Sequence, residues 1–113
     1  MKDQEHKLQV VICKYLNLIK IPYFAIPNGG QRNIIVASKL KAEGVKKGAA
    51  DLFIMVGNSQ HYGLFIEVKV GKNKQQESQV AFEELATKQR YLYKVVYSLD
   101  ELINILDIYL KIR

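Results

Sequence analysis

The sequence predicts a single α/β domain, residues 1–113, in which a mixed four-stranded sheet is flanked by four helices. In four segments, apolar residues recur every three or four positions, which is typical of amphipathic helices. Four shorter runs are rich in Val, Ile, Phe and Tyr, as strands are. The order of these segments is α-β-α-β-β-α-β-α. With 113 residues, 49% hydrophobic and 25% charged, the chain is long enough to fold around one core.

The first half of the chain is predicted to form a helix, a strand and a second helix. The helices cover residues 3–20 and 33–43. Residues 21–27 form a short strand bracketed by two prolines, as at a sheet edge. Gly44 is a natural C-cap for the second helix. The side chains predicted to pack are Leu8, Val11, Ile12, Tyr15, Leu16 and Ile19 in the first helix, and Ile34, Ala37 and Leu40 in the second.

Two central apolar runs carry charges where strands of a core usually have none. Residues 51–56 and 62–69 are joined by turn residues, which predicts a hairpin or two neighbouring strands. Asp51 begins the first run, and Glu67 and Lys69 end the second. Side chains at i and i+2 of a strand share one face, about 6.6 Å apart, so the glutamate and the lysine point the same way. If Asp51 pairs beside Glu67, two carboxylates and an ammonium converge on one patch.

Such a patch favours a divalent cation. Two close carboxylates repel each other unless a positive charge lies between them, and Mg²⁺ accepts hard oxygen ligands, including a backbone carbonyl. The alternative is a solvated Glu-x-Lys with a weak ion pair, the usual role of such a tripeptide. Residues 44–50 add weight to the first interpretation, because their glycines and alanines let the backbone approach another group closely just before Asp51.

The last three elements are a helix, a buried strand and a helix. The first helix covers residues 75–89 and the strand covers residues 90–97. Ser98 to Glu101 fits a capping box, which begins the final helix, ending at Ile112. The side chains predicted to pack are Val80, Phe82, Leu85 and Ala86, then Leu102, Ile103, Leu106, Tyr109 and Leu110. The seven tyrosines are scattered over the helices and strands of the whole chain, and we interpret them as core and interface residues, not as a row on which bases stack.

The net charge of +6 and the pI near 9.4 favour a polyanionic partner. Lys46 and Lys47 precede Asp51, and Lys72 and Lys74 follow the second central run. Lysines in loops are usually only solvated, but their position beside a carboxylate patch makes contacts to a DNA backbone plausible.

Together these residues resemble a known family. Asp51 followed by Glu67-Val68-Lys69 resembles the Asp…Glu-x-Lys core of the PD-(D/E)xK nuclease superfamily. An ordered set of segments resembles, more narrowly, the VRR-NUC family of small virus-type replication-repair nucleases: Glu5 to Gln9, Asn28 to Arg32, Leu40 to Asp51, and Gln79 after the core motif. The resemblance covers essentially the whole chain. Ala50 stands where the family often has proline, a position that shapes the start of the strand and ligates nothing.

The resemblance implies a restriction-endonuclease-like core and a Mg²⁺- or Mn²⁺-dependent deoxyribonuclease. Asp51, Glu67 and the Val68 carbonyl would bind the metal, and Lys69 would position a water or stabilise negative charge. The family pattern also makes Glu5, otherwise part of a solvated stripe, an outer carboxylate of the site.

Gln79 takes its role only from the resemblance. It would lie near the scissile phosphate or the lysine, although alone it is an ordinary exposed glutamine. The glycine turn at residues 28–30 is either only a turn or a site where backbone amides meet a phosphate, with Gln31 and Arg32 beside it as further phosphate contacts.

The family also implies a homodimer that cuts branched DNA such as four-way (Holliday) junctions in DNA repair. Two other classes stay open: a non-catalytic nucleic-acid-binding module with a nuclease fold, and a protein-interaction subunit of a repair or packaging complex. We expect a cytoplasmic protein of a bacterium or a phage-infected cell, because the start of the chain lacks the apolar segment of a signal peptide. Its single cysteine, Cys13, fits a reducing compartment and is interpreted as a packing residue.

Overall fold

The computed structural model describes residues 2–27 and 34–113, with the side chain of Lys2 excepted. Its elements follow the predicted order and confirm the α/β class. They are α1 Lys2–Leu18, β1 Tyr23–Ala25, α2 Ile34–Ala42, β2 Leu52–Ile54, β3 Leu64–Val68, α3 Glu77–Lys88, β4 Leu92–Val96 and α4 Leu99–Lys111. None of these described helices is long and apolar enough to cross a membrane.

The four strands form one mixed sheet in the order β1-β2-β3-β4. The β1/β2 and β2/β3 pairs are antiparallel, whereas β3 and β4 are parallel and joined through α3, as a crossover connection requires. In the central hairpin Leu52 lies opposite Ile66, and the amide of Asp51 donates to the Ile66 carbonyl at 3.0 Å. The same register, continued by one residue, puts Asp51 beside Glu67.

The core lies between one face of the sheet and the helices α1 and α4. Period two along β3 sends Leu64, Ile66 and Val68 into this core, and Phe65 and Glu67 to the opposite face. The other buried members of the core are Ile12, Leu16, Leu52, Ile54, Val96, Leu102, Leu106 and Tyr109. Cys13 packs against this cluster, consistent with its predicted packing role.

Helix α3 covers part of the opposite face. The ring of Phe82 lies 5.1 Å from that of Phe65 and 6.0 Å from that of Tyr93. Ala86 is buried as well. Helix α3 therefore lies over β3 and β4, on the same face of the sheet as Glu67.

Some side chains predicted to pack are exposed instead. Ile34 of α2 is 83% exposed and Leu85 of α3 is 58% exposed, and α2 contributes no buried residue. Helical periodicity identifies the apolar side of a helix, but not whether another layer covers it. Four more side chains were predicted to pack but are exposed: Val11, Ile19, Val80 and Leu110.

The predicted helix ends are largely confirmed. Gly44 follows α2 with φ +100°, the left-handed conformation of a C-cap. Ser98 Oγ accepts from the amide of Glu101 at 3.1 Å. The reciprocal bond differs from the standard box, because Glu101 Oε1 accepts from the amide of Tyr97, at 2.8 Å.

Candidate active site

The two carboxyl groups of Asp51 and Glu67 meet where β2 begins and β3 ends. The amide of Val68 donates to Asp51 Oδ2 at 2.7 Å, so the aspartate side chain is fixed to the neighbouring strand. Glu67 is 2% exposed and Lys69 is 6% exposed. The charge of Lys69 lowers the pKa of both acids, so its ammonium acts on the same pair.

Burial and mutual repulsion oppose ionisation of this pair. Burial above all raises the pKa of Asp51. Burial, and then the charge of Asp51, raises the pKa of Glu67 to about 8. The two groups are also close enough to share a hydrogen bond. Two carboxylates in this position are therefore costly to ionise together, unless a further cation joins them.

Glu67 is held in place by a donor on each oxygen. Tyr93 Oη donates to Oε1 at 2.7 Å, and Gln79 Nε2 donates to Oε2 at 2.9 Å. Gln79 Oε1 in turn accepts from the amide of Gln76 at 2.7 Å. This bond at the start of α3 sets which end of the Gln79 amide faces Glu67. Each carboxylate oxygen has about two acceptor positions, so one position remains beside the two donors and the hydrogen bond shared with Asp51.

Glu5 approaches the pair from α1. Its charge is among the groups that raise the pKa of Asp51, and Asn73 Nδ2 donates to its Oε2 at 3.1 Å. The carbonyl of Asn73 accepts from Tyr97 Oη at 2.7 Å, so the loop after β3 is anchored on both sides. Over the described residues, no three His, Cys, Asp or Glu side chains are close enough to hold a metal. Glu5 thus stands outside the Asp51–Glu67 pair.

The loop before Asp51 lies close to helix α3. The glycine before Asp51 at position 48 has φ +90°, and a Cβ there would overlap the backbone of Ser78 in α3. This close approach was predicted from the small residues of the loop.

The predicted DNA contacts lie on both sides of the Asp51–Glu67 pair in the sequence. Gln31 and Arg32 lie outside the described residues. The lysines predicted to contact DNA are all exposed: Lys46, Lys47, Lys72 and Lys74.

Sequence reasoning missed Tyr93, which it treated only as part of a buried strand. Besides donating to Glu67, its hydroxyl accepts a hydrogen bond from Gln75, whose Nε2 also donates to Glu83 Oε1 at 3.0 Å. The parallel register that brings Tyr93 to Glu67 depends on the α3 crossover, which local pattern does not specify. The only available signal was a tyrosine on the same predicted sheet as two acids.

The raised pKa values predict how the metal-free protein responds to pH. The pKa of Glu67 in the fold is about 8, above its usual 4.5, so between these values the folded state holds a proton that the unfolded state has lost. Stability therefore falls as pH rises through this window, by something on the order of a few kcal/mol. Urea unfolding in EDTA across the window measures it, and Glu67→Gln should flatten the profile. A stability that rises with pH in the wild type would contradict the assignment.

A mixed four-stranded sheet with a half-buried aspartate, a buried glutamate and a buried lysine at one end of its central strands defines a nuclease-type domain of the restriction-endonuclease-like fold. No family model and no curated protein matches the chain. A solved structure described as "VRR_NUC domain protein" is similar with a TM-score of 0.80 and 26% identity, over 96% of this chain and 88% of that one. The predicted resemblance to the VRR-NUC family is confirmed by this similarity.

Proposed function

We propose that this protein is a metal-dependent deoxyribonuclease that hydrolyses phosphodiester bonds. The observation that carries the proposal is the pair of half-buried Asp51 and buried Glu67, with the charge of buried Lys69 acting on both. The similarity to a VRR_NUC domain protein over nearly the whole chain supports a nuclease-type domain.

The chemistry of the pair fits a divalent cation. Asp51 and Glu67 present hard oxygens, burial raises the pKa of both carboxyl groups, and the charge of Asp51 raises the pKa of Glu67 further. A bound cation would favour the ionised forms and remove their mutual repulsion. Asp51, Glu67 and the backbone carbonyl of Val68 would hold Mg²⁺ or Mn²⁺, whose remaining positions are usually filled by water. The cation would supply Lewis-acid chemistry, making a water more acidic and offsetting charge on the phosphate.

The remaining residues would orient the reactants. Lys69 lies close enough to lower the pKa of both acids, so its ammonium can hold a water or a phosphate oxygen and stabilise the negative charge that develops there. Gln79 and Tyr93 keep Glu67 in one orientation. Glu5, whose charge acts on Asp51, would orient a water at the outer side of the pair.

The basic residues would bind the DNA backbone. The chain carries a net charge of +6 although its site is acidic, so cations dominate the rest of the surface. Lys46 and Lys47 before the site, and Lys72 and Lys74 after it, are exposed. Each phosphate that they neutralise should steepen the fall of affinity with salt by roughly one unit of the log–log slope.

The family resemblance further suggests branched DNA, such as four-way junctions, as substrate and a homodimer as the active form. A two-fold axis would place two sites for paired cuts. Large apolar side chains exposed on the outer helices, such as Leu18 at 78% and Ile108 at 66%, are consistent with a further interface. Light scattering coupled to gel filtration tests the dimer, and a monomer that still cuts junctions would contradict the proposal that the homodimer is the active form.

Cleavage assays test the function directly. Pure protein is incubated with labelled four-way junction, flap and linear duplex, each with Mg²⁺, Mn²⁺ or EDTA. Products that require metal are expected, most abundant on branched substrates. Retarded bands without products would indicate the non-catalytic binding module, and neither bands nor products would indicate an interaction subunit.

Tyr93→Phe tests the positioning of Glu67. The ring stays and only the hydroxyl that donates to Oε1 is lost, so we expect apparent metal affinity and cleavage to fall about 10- to 100-fold. Titrating cleavage with Mn²⁺ separates weaker metal binding from a slower step at saturation. Tyr91→Phe is the matched control, since the Tyr91 ring packs on Phe53 and Phe65. Equal metal dependence in wild type and Tyr93→Phe would contradict the role.

A further inference from the structure

Four aromatic rings form a row across the face of the sheet that carries Asp51 and Glu67. The ring centroids of Phe24 and Phe53 are 5.7 Å apart, those of Phe53 and Tyr91 5.8 Å, and those of Tyr91 and Tyr62 6.0 Å. We call these four residues the aromatic row. It begins on the edge strand β1 and crosses β2 to the segments that precede β3 and β4.

A glycine makes the row continuous. Gly63 lies beside Tyr91, because its carbonyl accepts from the amide of Leu92 at 3.0 Å and the parallel register continues from there. A Cβ at position 63 would overlap the ring of Phe53. Because Gly63 has no side chain, the Phe53 ring can lie against the backbone at that position and reach Tyr91.

The row is open to solvent at both ends. Phe24 is 47% exposed and Tyr62 is 65% exposed, while Phe53 and Tyr91 are half-buried between them. Helix α3 covers the neighbouring ring of Phe65 instead. A single exposed apolar side chain needs no explanation, but contiguous exposed rings on one face are typical of a binding surface.

The charge around the row favours an anionic partner. The three segments that build it, residues 20–27, 52–66 and 88–93, contain Lys20, Lys88 and Arg90 but no acid. The carbonyl of Arg90 accepts from the amide of Tyr62 at 2.9 Å, which places that cation next to an exposed ring. Aromatic faces beside cations are how proteins hold single-stranded nucleic acid, since every base has a face that can stack.

The row is also continuous with the candidate active site. Asp51 and Phe53 are neighbours on the same face of β2, as are Glu67 and Phe65 on β3, each pair about 6.6 Å apart along its strand. A DNA strand whose phosphate lies at the two carboxylates therefore has its adjacent bases within reach of the aromatic row.

We propose that the aromatic row stacks unpaired bases of the DNA next to the scissile phosphate. The proposal rests on the proposed nuclease function and narrows its substrate class to DNA in which bases beside the cut are unpaired, as at a flap or a splayed branch. Fully paired duplex leaves its bases stacked on each other, so it cannot use the row.

The test measures binding alone, in EDTA, by fluorescence anisotropy. The probes are a short labelled oligothymidine and a strand of equal length and charge in which every base is removed. Wild type should bind the oligothymidine at least about tenfold more tightly, and Phe24→Ala with Tyr62→Ala should lose that difference. Ile35→Ala with Leu85→Ala, two exposed apolar side chains outside the row, should keep it.

A second double variant separates stacking from general apolar contact. Phe24→Leu with Tyr62→Leu keeps apolar bulk but has no ring face, so it should lose the base dependence as fully as the alanine pair. Equal affinity of wild type for the two strands would overturn the proposal. So would a base dependence that survives both double variants. A dimer that the alanine pair converts to monomer, with base dependence unchanged, would identify the row as a contact between copies of the chain and overturn it too.

The outcome is independent of cleavage. Loss of metal-dependent activity in site variants concerns Asp51 and Glu67, whereas the comparison of the two strands concerns only the rings. A failure of the base-stacking proposal can therefore be distinguished from a failure of the proposed nuclease function.

Discussion

Asp51→Asn is expected to abolish metal-dependent cleavage while leaving DNA binding intact or stronger. The substitution removes one of two carboxylates that would hold the cation, a loss of several kcal/mol of transition-state stabilisation, or about a thousandfold or more in rate. It also removes one negative charge from the surface that must approach phosphate. The asparagine oxygen can still accept from the amide of Val68, as Asp51 Oδ2 does, so the local fold is kept.

The same variant should raise the stability of the metal-free protein. Burial and the neighbouring acid raise the pKa of Glu67, and a neutral residue at position 51 removes that repulsion. Loss of activity with a higher melting temperature in EDTA is a combination that damage to the fold cannot produce. Asp107→Asn, an exposed carboxylate of α4, is the matched control and should change neither property. Full cleavage by Asp51→Asn would contradict the site assignment.

Lys69→Met is expected to give the second largest loss. Methionine has nearly the length of the lysine stem and suits a position that is 6% exposed, but it carries no charge. We expect cleavage to fall about 100- to 1,000-fold, the usual cost of losing one group that stabilises developing charge. The metal-free protein should also become less stable near neutral pH, because the cation that lowers the pKa of Asp51 and Glu67 is gone.

Two comparisons show whether the Lys69 effect is specific. Lys72→Met removes an exposed charge from the following loop and should weaken DNA binding slightly without a comparable loss at saturating DNA. Lys69→Arg should not restore activity, since a planar guanidinium does not replace a compact ammonium in a confined site. Single-turnover cleavage at saturating DNA distinguishes these variants. A Lys69→Met protein with near wild-type rate would show that the ammonium plays no part in the reaction.

The sequence predicted the central hairpin well, for a physical reason. The connection between the two charged runs is short, and the apolar alternation of β3 allows only one face toward the core. Leu64, Ile66 and Val68 are therefore buried, and Glu67 must point to the other side. The local pattern left the pairing of Asp51 with Glu67 conditional, and the antiparallel register of β2 and β3 supplies it.

Features that depend on pairing between distant segments were not predictable in this way. The bond from Tyr93 to Glu67 requires the parallel register of β3 and β4. The aromatic row draws Phe24, Tyr62 and Tyr91 from three separate parts of the chain. Nothing in the local sequence of any one segment indicates that its ring will meet the others.

The family resemblance identified site residues that helical and strand periodicity could not identify. It singled out Gln79, which was expected near the lysine or the phosphate, and the structure shows it donating to Glu67. It also singled out Glu5, whose charge acts on Asp51. In contrast, Ile34 and Leu85 were expected to be buried from helical spacing and are exposed, because spacing says nothing about which layers surround a helix.

The most direct test is to locate the cation. Crystals of the protein soaked in Mn²⁺ and measured at a wavelength where manganese scatters anomalously should show a peak between the carboxylates of Asp51 and Glu67, against the backbone of Val68. The peak should vanish in Asp51→Asn. A peak elsewhere, or none at this pair in a crystal that binds Mn²⁺ at other carboxylates, would contradict the account.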